Sequence, residues 1–170
     1  SPLMNDYLDQ KPELNSLYHH FPTLENFDKQ IEEKKINFND NGNFKRETSV
    51  SVLKKQYNQL NVTTETINNI ELLNLQNTFT ITTGHQLNLF SGPLYFLYKI
   101  ISTINLTKEL KTQYPDSNFV PVYWMATEDH DFEEINYFSF KGKKFHWNRE
   151  STGPVGRLST EGLDDFLEIF

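Results

Sequence analysis

The sequence predicts an α/β chain organised on a parallel sheet, and three consecutive segments carry that expectation. Phe79 to Thr83 (FTITT) is short, β-branched and aromatic and runs into Gly84, which reads as a strand opening into a loop. Gly92-Pro93 then marks a helix start, with Pro93 expected at the first helical position, and Leu94, Leu97, Tyr98, Ile101 and Ile104 carry the helix to about Lys111. After the turn Tyr114 to Asn118, the run Phe119 to Ala126 (FVPVYWMA) is apolar without alternation, as strands buried on both faces are. Strand, crossover helix and strand make the unit of a parallel sheet, right-handed in about 98% of such units. Pro121 cannot donate to a ladder and fits best at a strand's beginning or edge.

The preceding residues 1–77 read as a helical segment packing on the core that residues 78–170 begin. Leu3, Tyr7 and Leu8, then Leu14, Leu17, Tyr18 and Phe21, recur at helical spacing, with Pro12 suited to a first turn. Pro22 stops that run, and Thr23 is placed to cap a helix carrying Leu24, Phe27 and Ile31. Residues 37–43 (NFNDNGN) read as a loop. Val50, Leu53, Tyr57 and Leu60 fit one further helix, and Ile67, Ile70 and Leu73 fit another ending near Asn77. Beyond the sheet unit, 136–140 and 144–147, joined by Lys141-Gly142-Lys143, predict an antiparallel hairpin beside the parallel sheet. Leu163, Phe166, Leu167 and Phe170 form an apolar stripe that no later residue covers, from which residue 170 is expected to be a truncation.

Composition narrows the function. At 170 residues the chain is long enough for one real core, since a domain of about 150 residues buries roughly 68–70% of its unfolded surface. A net charge of −7 argues against a binder of phosphate backbones, which needs clustered Lys and Arg. No segment approaches the ~18 apolar residues of a membrane span, and SPLMNDYLDQ lacks signal-peptide order, so no membrane partner and a cytoplasmic location are expected. The absence of cysteine removes disulfides, thiolate nucleophiles and thiolate metal sites. Asn61-Val62-Thr63 and Asn105-Leu106-Thr107 match the glycosylation pattern, which matters only in secreted chains, and are read as chance.

In an open parallel sheet, ligands bind beyond the carboxyl ends of the strands. Two features fall there. The first is the loop Thr83 to Pro93 with Gly84, His85, Gln86 and Gly92, followed by a helix whose free N–H groups and positive end suit an anion. Tyr95 and Lys99 stand one turn apart on a face shared with Gly92. The glycine spacing is neither a dinucleotide fingerprint nor a phosphate-binding loop, and the plain alternative is two turn glycines, a solvated His85 and a snorkelling Lys99. The second is Glu128, Asp129, His130 and Asp131, where carboxylates and an imidazole can act as general base, amine binder or metal ligands, or can simply cap the next helix. A metal needs three convergent ligands, which adjacent residues seldom supply, and none is assigned. Trp124 and Trp147 are expected in the core, His19 and His20 on a helix surface, and His146 without a partner.

Together TGHQLNLFSGPLYFLYK (Thr83 to Lys99) and PVYWMATEDHDFEEIN (Pro121 to Asn136) resemble the BshC family of bacillithiol biosynthesis, named as cysteine ligases. Weaker similarity runs from LMNDYL to Pro154-Val155-Gly156 and spans about the first third of a family member. The resemblance implies a Rossmann-like core related to class I aminoacyl-tRNA synthetases and nucleotidylyl transferases, with inserted connective segments and a later coiled coil that pairs two subunits. It implies joining L-cysteine to the amine of glucosaminyl malate, with ATP a reasonable cosubstrate because a free carboxylate must be activated, and a fragment inactive by itself. It carries Gly84, Gln86, Gly92, Pro93, Tyr95, Lys99, Glu128, Asp129, His130 and Asp131 over as site-lining residues. The family usually has Gln where His85 stands, which weighs against an acid–base duty for this imidazole. Lys99, Asp129, His130 and Asp131 are the expected catalytic group, and Thr83, Gly84, His85, Gln86, Gly92, Pro93, Tyr95 and Glu128 are expected to hold substrate. The alternatives are a nucleotidylyl transferase-like enzyme acting on another small acid and a non-catalytic binding domain.

Overall fold

The computed structural model describes residues 1–40, 45–90 and 92–169. The chain divides into two compact units, Ser1–Phe79 and Thr80–Phe170.

The first unit is helical. Ser1 caps α1 (Pro2–Leu8) by accepting from Met4 N–H at 3.3 Å. The expected run through Phe21 does not continue as a helix. Gln10 turns to φ 52°, Lys11 is extended as residues before proline are, and only a 3₁₀ turn follows at Pro12–Leu14. The aromatics of this run cluster instead, with Tyr7 at 5.3 Å from Tyr18 and 5.1 Å from Phe21 between ring centroids. His19 and His20 lie outside any helix and share the Glu33 carboxylate, at 2.8 and 3.1 Å.

Thr23 precedes a 3₁₀ turn (Leu24–Asn26) that leads into α2 (Phe27–Lys35), but its hydroxyl receives Asn26 Nδ2 at 3.2 Å and caps no backbone N–H. Part of the expected 37–43 loop is helical, since a π turn extends α2 through Ile36–Asp40; the rest, 41–43, lies outside the described residues. α3 (Arg46–Tyr57) and α4 (Thr64–Leu72) follow, with Thr63 capping α4 through Thr66 N–H at 3.3 Å. Leu60 and Leu73 fall just beyond these helices. The Arg46 guanidinium donates to the carbonyls of Leu73, Gln76 and Thr78, at 3.2, 3.4 and 3.1 Å, which fixes the exit from α4.

The strand–helix–strand lies in the second unit except for the first two residues of its first strand. β1 (Thr78–His85) and β2 (Asn118–Met125) form a two-stranded parallel sheet, joined by α5 (Leu94–Gln113). β1 runs further than the sequence suggests and takes in Thr83, Gly84 and His85. Pro93 is the N-cap of α5, with ψ 152°, not its first helical residue. α5 packs on β2, where Leu110, Phe119 and Val120 are buried, while Leu94, Leu97, Tyr98, Ile101 and Ile104 are exposed. β2 is buried only in its first half: Trp124 is 61% exposed, which corrects its expected core position.

After α6 (Phe132–Ile135), β3 (Tyr137–Phe140) and β4 (Lys143–His146) pair antiparallel, with Tyr137 opposite His146 and Phe140 opposite Lys143. Their two-residue turn, Lys141-Gly142, has φ 49° and 76°, the twist a tight hairpin needs. The hairpin is a sheet of its own, separate from β1–β2, and His146 meets the Tyr137 ring at 5.4 Å. Phe132, Ile135, Trp147, Val155 and Phe166 form one buried cluster, so α7 (Leu163–Ile169) has part of its stripe covered from within the unit; Phe170 lies outside the described residues.

Candidate active-site rim

Because β1 and β2 are parallel, their carboxyl ends open side by side, and Ala126 N–H donates to the His85 carbonyl at 3.1 Å where they finish. The loop after β1 and the acidic turn after β2 therefore start from one edge. Gly84 is required at that edge by its neighbour strand: a Cβ there would stand 2.9 Å from the Trp124 carbonyl oxygen and 3.1 Å from Trp124 Cβ. Its small size is required by strand packing.

Lys99, two turns into α5 among exposed residues, donates from Nζ to the Gly84 carbonyl at 2.5 Å. That contact fixes the ammonium at the end of β1 and leaves two of its three N–H groups for other acceptors. Two residues on, the Gln86 amide Nε2 donates to Glu134 Oε2 at 2.5 Å, which ties the segment after β1 to α6. Lys99, at the Gly84 carbonyl, and Asp129, in the turn that follows Ala126, therefore belong to one rim.

His85, between them, is enclosed by polar partners. Its Nε2 is 2.6 Å from the Tyr95 hydroxyl, and its Nδ1 is 3.1 Å from Asn88 Nδ2 and 3.2 Å from the Gln86 carbonyl. Its ring also meets Phe96 edge-on at 5.9 Å. Below it, the Tyr123 hydroxyl donates to the His85 carbonyl at 3.1 Å, and burial raises the Tyr123 pKa, so this phenol stays a donor. Gly92 closes the loop at φ 60°, with the position of a Cβ only 2.8 Å from Asn88 Cγ, so a side chain there is excluded twice over.

The acidic turn is organised by its own carboxylates. Asp129 Oδ1 accepts from Asp131 N–H at 2.9 Å, and Asp131 caps α6 by accepting from Glu134 N–H at 3.3 Å. The Asp131 N–H holds the Asp129 carboxyl below its ordinary pKa; the His130 N–H, Gln86 and the His130 charge act the same way against some desolvation. Asp129 is therefore an ionised group suited to holding a cation, and a weak base. Glu128 accepts from the exposed Trp124 Nε1 at 3.4 Å. The turn is held from outside by residues 154–156, where Val155 N–H donates to the Asp129 carbonyl at 2.7 Å and Gly156 N–H to the Thr127 carbonyl at 3.0 Å.

Asn88, Tyr123, Glu134 and the 154–156 strap were not singled out by residue type or spacing. Glu134 was visible only as one acid among several, and Gly156 only as another glycine near a proline. A groove of about 490 Å³ lined by Trp147, Arg149, Glu161 and Asp165 lies elsewhere in this unit and shares no residue with the rim. Among the described residues, no group of three or more His, Cys, Asp or Glu is placed to hold a metal ion, and no helix is long and apolar enough to cross a membrane.

Residues 1–170 match the family model described as the Bacillithiol biosynthesis BshC, N-terminal Rossmann-like domain. The chain belongs to this family. The βαβ unit of the second compact unit is thereby part of a Rossmann-like domain. Relatives provisionally named cysteine ligase BshC match throughout. That of Flavobacterium johnsoniae is 74% identical over 170 residues, covering 100% of this chain and 32% of the relative. That of Flavobacterium psychrophilum is 64% identical over the same span, and that of Bacillus cereus 35% identical over 171 residues, covering 96% of this chain and 31% of the relative. The chain thus spans about a third of the length of the curated BshC relatives it matches.

Proposed function

We propose that this chain is the N-terminal part of a ligase that joins L-cysteine to the amine of glucosaminyl malate, giving bacillithiol. Membership of the BshC family supports the reaction class, and one observation supports placing chemistry at the rim. A cation, Lys99, holds the Gly84 carbonyl at the end of β1, and an ionised carboxylate, Asp129, lies in the turn that leaves β2 beside it, where Ala126 N–H donates to the His85 carbonyl.

Amide formation from a free carboxylate needs an activated acyl group, and ATP is the proposed activating cosubstrate. In this reading Lys99, Tyr95 and the start of α5 at Gly92-Pro93 hold the anionic side of the activated substrate. Asp129, with His130 and Asp131 beside it, holds the amine as a cation before its deprotonation and attack. Gln86 acts as the brace between the segment after β1 and α6, since its amide donates to Glu134. Thr83, Gly84, His85 and Glu128 shape the wall. The full-length protein is proposed to act in the cytoplasm as a homodimer paired outside this chain.

The test is thiol synthesis by the full-length protein given cysteine, glucosaminyl malate and ATP. Lys99→Ala and Asp129→Ala should each abolish most turnover while the far-ultraviolet circular dichroism stays native. Unchanged turnover in both variants rejects the rim as the site.

A further inference from the structure

The groove of about 490 Å³ between the end of β4 and the start of α7 contains a donor without an acceptor. Trp147 lines it and is 8% exposed, and among the described residues nothing accepts from its indole N–H. That nitrogen is not sealed in the interior, where an unpaired N–H is costly. Gly162, also in the lining, leaves it uncovered: its φ of 77° favours glycine, and a Cβ there would stand 3.7 Å from Trp147 Nε1. The Arg149 guanidinium lies over the same indole, 5.2 Å from the ring centre, and donates to the carbonyls of Ser159 at 2.6 Å and Glu150 at 3.3 Å. Those two bonds leave three of the five guanidinium N–H groups for other acceptors. Indole and guanidinium can only donate, so what completes them is an acceptor, and an anionic one suits the cation best.

The charges around these donors decide the class of ligand. The carboxylates of Glu150, Glu161 and Asp165 line the same groove, and among the described residues none of them forms an ion pair with Arg149. Three carboxylates against one guanidinium repel a bare anion such as phosphate, and a bare cation leaves the indole and guanidinium donors unmatched. A small molecule carrying both a carboxylate and an ammonium satisfies both sets.

We propose that this groove is a binding site for a free α-amino acid, which places its carboxylate on the Trp147 indole N–H and Arg149 and its ammonium toward Glu161 and Asp165. The groove has the volume of a small-molecule site. It shares no residue with the rim, so it stands or falls separately from the reading of the rim as the site of ligation.

The experiment titrates the full-length protein, carrying ¹⁵N-labelled tryptophan, with L-cysteine and with its two halves: cysteamine, which lacks the carboxylate, and 3-mercaptopropionate, which lacks the ammonium. The Trp147 indole signal is assigned by its loss in Trp147→Phe, and calorimetry of the same titrations reads affinity without that assignment. L-Cysteine should move the Trp147 signal downfield, as a new hydrogen bond does, and each half should bind roughly tenfold or more weakly for want of one charged contact. Arg149→Gln and Asp165→Asn should each weaken cysteine binding by about tenfold to a hundredfold; Asp165 is exposed, so its amide variant leaves the packing untouched. Lys99→Ala should leave the response of the Trp147 signal as in wild type. A Trp147 signal that cysteine does not move, an equal response to 3-mercaptopropionate, or wild-type affinity in both Arg149→Gln and Asp165→Asn overturns the proposal. Loss of the Trp147 response in Lys99→Ala overturns it too, because the shift then originates at the rim. Wild-type turnover in Lys99→Ala and Asp129→Ala with the Trp147 response intact sinks the rim and leaves the groove standing.

Discussion

Gly156→Ala tests whether the acidic turn depends on the strap that crosses it. The glycine does not have a left-handed φ; what requires it is space, because a Cβ would stand 2.5 Å from Thr127 Cβ and 2.9 Å from the Thr127 carbonyl oxygen. Carbon atoms rest about 3.5–4.0 Å apart, so the strap must retreat by about 1 Å. Moved that far along the bonds, the contacts now at 2.7 Å (Val155 N–H to the Asp129 carbonyl) and 3.0 Å (Gly156 N–H to the Thr127 carbonyl) pass the range of a hydrogen bond. Two such bonds contribute about 1–3 kcal/mol together at roughly 0.5–1.5 kcal/mol each. Since about 1.36 kcal/mol is a factor of ten, exchange of the Val155 and Gly156 amides should accelerate roughly 5- to 150-fold in the full-length protein. Hydrogen exchange followed by mass spectrometry of the peptide spanning these residues measures it, and protection unchanged from wild type would refute the strap argument. Thiol synthesis should fall in parallel, because Asp129 rides on the same turn.

Three other perturbations have outcomes set by the geometry. Gly84→Ala drives a methyl group against the Trp124 backbone and should destabilise the β1–β2 pairing by about 1–3 kcal/mol, read as a shift in the denaturation midpoint. Arg46→Ala removes three charge-assisted bonds to carbonyls at the exit of α4 and should destabilise by about 2–4 kcal/mol in urea unfolding; Arg46→Lys should recover only part, since an ammonium lacks the fork that reaches all three. Asp129 has its pKa lowered in the folded chain, so its contribution is present above the ordinary value of 3.8 and is lost as pH falls through the lowered one. Wild type should therefore exceed Asp129→Asn in stability at neutral pH, and the two should converge in strong acid; a constant difference across an acid titration of unfolding contradicts this.

The sequence by itself determined the elements whose cause is local. The β-branched and aromatic residues of FTITT, the unbroken apolar run after Asn118, the helical spacing from Leu94 and the Lys141-Gly142 turn each act within a few residues, so each was legible without a fold. The same holds for Asp129 and Asp131 as caps, whose backbone partners lie two and three residues away. The helical spacing from Leu14 to Phe21 misled because aromatic residues packing as a cluster repeat much as they do on a helix, and Gln10 breaks the backbone before them.

Tertiary structure alone decided which polar groups meet. Gln86 finds Glu134 across 48 residues, Tyr123 finds the His85 carbonyl across 38, and Gly156 is small because Thr127 lies against it. It also separated two tryptophans that look alike in sequence, burying Trp147 to 8% exposure beneath Phe132 and Phe166 while leaving Trp124 61% exposed at the rim. Spacing along a chain records the demands of nearby backbone. Burial, close approach and the choice of a hydrogen-bond partner depend on which distant segment folds back, and that is fixed only when the strands, strap and helices pack.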